Sequence, residues 1–169
     1  MPVPQEGQYP EYFKGYISKV IASDLAEVVS KYAKEIEQFY LDLPDTKALY
    51  SYAPGKWTIN ELLQHIVDAE RVFAYRMLHI SRNDQTPLAP FDENSYALNS
   101  RANKKSIAAI KEEFISVRNS TDLLIKSLDE EQLAYSTITR NSPITANAIG
   151  YIIFGHMLHH KTILEERYL

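Results

Sequence analysis

Residues 82–101, RNDQTPLAPFDENSYALNSR, contain two prolines and no sustained apolar period, yet they lie between two long stretches that do carry one. The stretch reads as a loop, and its length decides the topology. A connection of roughly twenty residues is uncommon inside a compact domain and is usually functional or topologically necessary. An extended chain covers about 3.3 Å per residue and a helix about 1.5 Å, so this loop can run back along its helix and start the next in the same direction.

The flanking segments supply the helices. Before the loop, GKWTINELLQHIVDAERVFAYRMLHISRN (55–83) offers Thr58 as N-cap with Glu61 three residues on, a capping box ahead of a periodic run to about Ser81. After it, residues 104–128 repeat apolar positions at Ile107, Ile110, Phe114, Val117, Leu124 and Leu128. An earlier helix follows Ser23 as N-cap, with Leu25, Val28, Val29, Tyr32, Ile36 and Phe39 on one face and Pro44 beyond its end. A last helix follows Thr145. No convincing period-two strand stands out. Four long helices in 169 residues make an all-α four-helix bundle. The short link between the first two implies antiparallel neighbours, and the long crossover between the second and third gives up-down-down-up. The Pro- and Gly-rich start implies a flexible arm over residues 1–11, with the bundle domain occupying 12–169.

Composition narrows the chemistry. A formal charge of −4 and a single notable basic pair, Lys104-Lys105, argue against nucleic acid as a partner. There is no cysteine, so any metal must be held by His and carboxylate. No apolar run is long enough to span a bilayer, and the first residues lack a signal-peptide pattern; a cytoplasmic protein with no membrane association is expected.

In YIIFGHMLHHKTIL (151–164), three histidines interrupt an apolar helix face. At about 100° per residue, with His156 at zero, Ile149, Ile152, Ile153 and Ile163 fall between about −40° and +60°. His156 and His160 therefore share the centre of the buried face, one turn apart, where both imidazoles can chelate one divalent ion. His159 falls at the edge. Buried imidazoles without partners would cost on the order of 1–3 kcal/mol each, and the flanking Ile and Met supply none. On the second helix, His65 flanks the apolar stripe Leu62, Ile66, Ala69, Phe73 and Ile80, whereas His79 points further towards solvent. Adding His65 completes a facial triad with open positions, the pattern of a catalytic rather than a closed structural site.

Other residues are read more plainly. Trp57 is expected to pack as a hydrophobic staple against Leu62, Leu63 or a neighbouring helix. Arg76 stands in the same column as His65, where it reaches either an anionic substrate group or Asp92 and Glu93 of the crossover. For a hydrolase the candidate bases are Asp68 and Glu70 beyond His65 and Asp92 and Glu93 in the crossover, and Asp68 is better placed than Glu70 to act near the triad. The crossover segment 86–96 should pack against the bundle and wall the metal cleft.

The segments GKWTINELLQHIVDAERVFAYRML, PLAPFDENSY and YIIFGHMLHHKTILEERYL resemble the DinB-like (DinB/YfiT) superfamily, in the same order of elements and over nearly the whole chain. That resemblance implies the up-down-down-up bundle and a zinc- or nickel-binding triad of His65, His156 and His160. It also implies kinship to thiol S-transferases and thiol-dependent isomerases, hence a metal-dependent enzyme that activates a low-molecular-weight thiol towards a small-molecule substrate. A metal-dependent hydrolase and a non-catalytic metal-binding or dimerisation module are the alternatives. A homodimer would be ordinary for the family.

Overall fold

In chain order the elements are α1 (Lys14–Ile17), α2 (Leu25–Leu41), α3 (Ile59–Ser81), α4 (Glu93–Ser100), α5 (Ile107–Ser127), α6 (Glu130–Ala134), β1 (Ser136–Thr139), β2 (Ser142–Thr145) and α7 (Ala146–Arg167). They come from a computed structural model, which describes residues 1–139 and 141–169. Among the described residues no helix is long and apolar enough to cross a membrane.

Local chemistry starts each bundle helix. The Thr58–Glu61 capping box forms in both directions at the head of α3, satisfying two backbone donors that the first turn would leave open. Thr145 caps α7 and Ser106 caps α5 through their hydroxyls. At α2 the cap is Asp24, which accepts from Glu27 N at 2.8 Å, and not Ser23. Ser23 instead donates its own N–H and hydroxyl to the Glu27 carboxylate, so the two adjacent residues divide the capping work.

Contacts between helices fix their directions. Leu25 of α2 meets Gly150 of α7, and further along Glu35 pairs with Lys161, so α2 and α7 run parallel. Tyr40 ties the same two helices by donating to the Met157 carbonyl at 2.6 Å. Gln64 and Glu70 of α3 meet Glu113 and Arg118 of α5 in the same order, again parallel. His65 faces His156 while Met77 reaches Gly150, so α3 and α7 are antiparallel. The bundle is thus up-down-down-up, as the crossover implied.

One expectation fails. Helices α2 and α3 are not neighbours: α3 packs against α5 and α7, α2 packs against α7 and α5, and the first two helices lie diagonally. The link over residues 42–58 is long enough to cross the end of the bundle, so it imposes no hairpin.

Two smaller features, α4 and a strand pair, also depart from the sequence reading. Residues 93–100 of the crossover form α4, capped by Asp92, which accepts from Asn94 N and Ser95 N. The helix is polar and buries only Ala97, so it has no apolar stripe to announce it. Strands β1 and β2 pair antiparallel with Thr137 opposite Ile144. At four residues each, one containing Pro143, they are too short for an alternation to show. Ahead of α2, the first residues make discrete contacts: Pro2 bridges to Asp24, the Pro2 carbonyl accepts from Asn147, and Tyr9 is buried.

Helix α1 crosses α7 in a close backbone approach at Gly155. A Cβ on Gly155 would sit 2.1 Å from the Tyr16 carbonyl oxygen, and that atom is backbone. Gly155→Ala gains about 1 kcal/mol of helix propensity but incurs overpacking of roughly 1–3 kcal/mol against an unyielding neighbour. It should lower stability in urea unfolding and displace α1. Gly15→Ala, with nothing within 4 Å of its Cβ, should leave stability unchanged or raise it slightly.

Candidate metal centre

The i, i+4 spacing of His156 and His160 places both rings on the buried side of α7, and the antiparallel approach of α3 brings His65 to meet them. All three are buried. Nε2 of His156 lies 3.0 Å from Nε2 of His65 and 3.2 Å from Nε2 of His160, and the ligand atoms of the three lie within 4.8 Å of one another. Metal–nitrogen bonds of about 2.05 Å to one ion span each of those two separations.

The donor chemistry fits a cation for a second reason. A neutral imidazole has one N–H, so of three Nε2 atoms meeting at one vertex at least two present the same group, lone pair to lone pair or N–H to N–H, and they cannot all be paired with each other. Burial holds all three rings in the neutral form, pushing His65 down to about 4, His160 down to about 2, and His156 well below the ordinary histidine value. Neutral imidazole is the form that binds metal. Meanwhile Nδ1 of His65 and Nδ1 of His160 are buried without a hydrogen-bond partner.

Aromatic packing therefore orients the rings where hydrogen bonds commonly do. Trp57 lies against His65 with ring centroids 4.8 Å apart, so it is a wall of the centre. Its carbonyl is in turn held by the Tyr168 hydroxyl at 2.8 Å. Tyr16 and Phe73 both stand edge-on to His156. Burial raises the Tyr16 phenol to about 12, with Tyr12 and Glu93 adding to it, so its proton stays in place at neutral pH. Nothing in the sequence marked Tyr16, because α1 is a single turn with no period to read.

A cavity of about 470 Å³ opens beside the triad. Its walls are mainly aromatic, with Phe13, Tyr16, Trp57, Phe73 and Phe91 among them. Leu88 to Phe91 and the start of α4 close one side, as expected for a crossover that walls the cleft. Among the described residues, the charged side chains on the wall are Arg76 and Glu93. Arg76 donates from Nη2 to the Ala89 carbonyl at 3.0 Å, so it grips the crossover through its backbone, while Asp92 is engaged as the α4 cap.

The carboxylates weighed as bases sit elsewhere. Asp68 accepts from Gln64 at 3.1 Å in a polar cluster with Lys105, Arg71 and Glu113 on the α3–α5 seam, and it does not line the cavity. Glu70 is buried against Arg118, which also binds Asp122 and lies over the Phe154 ring. Burial pushes the Glu70 carboxyl up and the guanidinium opposes that rise. His79, expected near solvent, is instead buried at the end of α3, with Nε2 2.9 Å from Thr86 Oγ1 and 3.4 Å from Asp84. The turn after α3 folds back over it. His159 is half-buried beside Tyr16 and His160 and does not join the triad.

Residues 31–164 match the DinB superfamily. A curated relative from Oceanobacillus iheyensis, named a "putative metal-dependent hydrolase", is 26% identical over 153 residues, covering 84% of each chain. A second of the same name and organism is 24% identical over 86 residues, 50% of this chain and 49% of its own length, so this chain spans about half of that relative. Among solved structures, YfiT from Bacillus subtilis, described as a probable metal-dependent hydrolase with an unusual four-helix bundle topology, superposes with a TM-score of 0.67 at 18% identity, covering 97% of this chain and 91% of that one. A mycothiol-dependent maleylpyruvate isomerase superposes with a TM-score of 0.64 at 13% identity, covering 77% of this chain and 55% of that one.

Replacing His65, His156 or His160 with Ala should strip most bound zinc or nickel, measured by elemental analysis of purified protein, with helical content by circular dichroism nearly intact. His159→Ala should retain metal. His79→Ala should also retain it, while losing about 1–3 kcal/mol of stability through the hydrogen bond to Thr86. Equal metal loss from His79→Ala and His156→Ala would refute the assignment.

Proposed function

The chain belongs to the DinB superfamily, and on that premise we propose that it is a divalent-metal-dependent enzyme of the thiol S-transferase type, acting on a small-molecule electrophile with a low-molecular-weight thiol as co-substrate. His65, His156 and His160 are the residues that would hold a zinc or nickel ion. An ion there supplies Lewis acidity, which lowers the pKa of a sulfur or oxygen that binds it.

The observation that carries the thiol reading is where the carboxylates that follow His65 on α3 point. Water activation calls for a base near the open face, and Asp68 and Glu70 are committed to the α5 side, which leaves Glu93 of the crossover as the one acidic side chain among the described cavity-lining residues. A thiol is already acidic enough to lose its proton without a dedicated base. The aromatic walls exclude water from around the reacting sulfur and stack against an apolar electrophile. The Tyr16 phenol, held protonated by burial, can donate a hydrogen bond to oxygen on a substrate that enters beside His156.

Hydrolysis is the second reading, and one observation favours it: Glu93 lines the same cavity and could receive a proton from water. The hydrolase names of the relatives agree with it.

Cobalt-substituted protein separates the two. A thiolate charge-transfer band should develop on adding a low-molecular-weight thiol, and it should be lost in His156→Ala. Ester or amide hydrolysis with no band from any thiol tested, and loss of that hydrolysis in Glu93→Gln, would establish the hydrolase instead.

A further inference from the structure

The three ligands of the centre are not held alike. His156 and His160 share one helix, and their spacing sets where both rings stand. His65 comes from α3 alone, and its Nδ1 has no hydrogen-bond partner among the described residues, so no bond at that nitrogen fixes the plane of its ring. Packing has to do so. His156 and His160 stand edge-on to it, each with centroids 5.0 Å away, and Trp57 lies against it at 4.8 Å.

The Trp57–Thr58 peptide is clamped at both edges. Its carbonyl accepts from the Tyr168 hydroxyl at 2.8 Å, and its N–H, that of Thr58, donates to the Glu61 carboxylate at 2.8 Å. The Thr58 hydroxyl is tied in turn to Asn103. A planar unit bonded on both sides cannot rotate without breaking one of those bonds, so the backbone from which the indole departs is held. Tyr168 is anchored as well. It is the buried C-cap of α7, Tyr50 and Tyr52 stand edge-on to its ring, and Lys47 Nζ donates to the backbone oxygens of Tyr168 and Leu169. Burial raises its phenol to about 12, so at neutral pH it keeps the proton that it donates.

We infer that Tyr168 is a positioning residue for the metal centre: by holding the Trp57 carbonyl from the end of α7 it keeps the indole against His65, and so keeps that ring aimed at the vertex it shares with His156 and His160. The inference rests on the metal assignment and not on the reaction. Groups one step removed from a metal ligand commonly change metal affinity by about ten- to a hundredfold, because they fix the ring before the ion arrives.

Tyr168→Phe removes the hydroxyl alone and keeps the ring against Tyr50 and Tyr52. Zinc affinity, measured by competition with a chromogenic chelator, should fall about tenfold. Trp57→Ala should lower it at least as far, and adding Tyr168→Phe to Trp57→Ala should cost nothing more, because the hydroxyl acts through the indole. In zinc-loaded protein the His65 ring resonances should shift in Tyr168→Phe while those of His160 stay in place. A general loss of stability would not single out one ligand, and urea unfolding of the metal-free protein reads such a loss separately. Unchanged zinc affinity in Tyr168→Phe, a loss that adds to that of Trp57→Ala, or equal shifts in all three ligand rings would each overturn the inference. Failure of the unaltered protein to bind zinc would defeat the metal assignment and the inference with it, whereas the cobalt thiolate band tests the reaction alone.

Discussion

Three imidazoles that share one buried vertex are a frustrated arrangement in the absence of a cation. Their Nε2 atoms crowd together, their outer nitrogens at His65 and His160 find no hydrogen-bond partner among the described residues, and burial disfavours relief by protonation. Every nearby packing choice follows from holding that arrangement together. Flat aromatic faces confine the rings where carboxylates or carbonyls would otherwise fix them: Trp57 on His65, Tyr16 and Phe73 on His156. Rings oriented this way are weaker electron donors than rings whose Nδ1–H is bonded to a carboxylate, and a metal they hold stays more electrophilic.

The diagonal placement of α2 and α3 makes room for the site. With α3 set against α7, the histidines of the two helices face each other directly, while α2 supports α7 from behind through Tyr40. The groove between α3 and α7 is then covered from two sides, by α1 across Gly155 and by the crossover with α4 along α3. Neither cover belongs to the four main helices. Both are short or irregular segments whose positions are set by a few contacts, and loops held on a rigid frame are where binding surfaces are usually built.

Much of this was legible in the sequence for physical reasons. The 3.6-residue period gave the four bundle helices, the Thr58–Glu61 box fixed the start of α3, and the rotation angles put His156 and His160 on the inner face while leaving His159 at its rim. Features that depend on distant contacts were not legible. The order of helices round the bundle is decided by packing between residues about a hundred positions apart, which a link length does not encode. The burial of His79 depends on a turn that folds back over it, and the placing of Trp57 on a hydroxyl from Tyr168 that holds its carbonyl. Asp24 and Ser23 are both good capping residues, so composition could not choose between them. Helix α4 and the strand pair bury too little apolar surface to leave a pattern.

The pairing of His65 with His156, 91 residues later in the chain, also has a meaning in time. On the ribosome α3 emerges well before its partner, and His65 spends that interval on a surface with no second ligand. The crossover, α5 and the strand pair must all be made before α7 can dock, and with it Tyr168, whose hydroxyl holds the Trp57 carbonyl. Contacts of such long sequence separation form late, after the loops between them have closed. The three histidines therefore come together only once α7 has docked, and a half-made chain presents no complete triad.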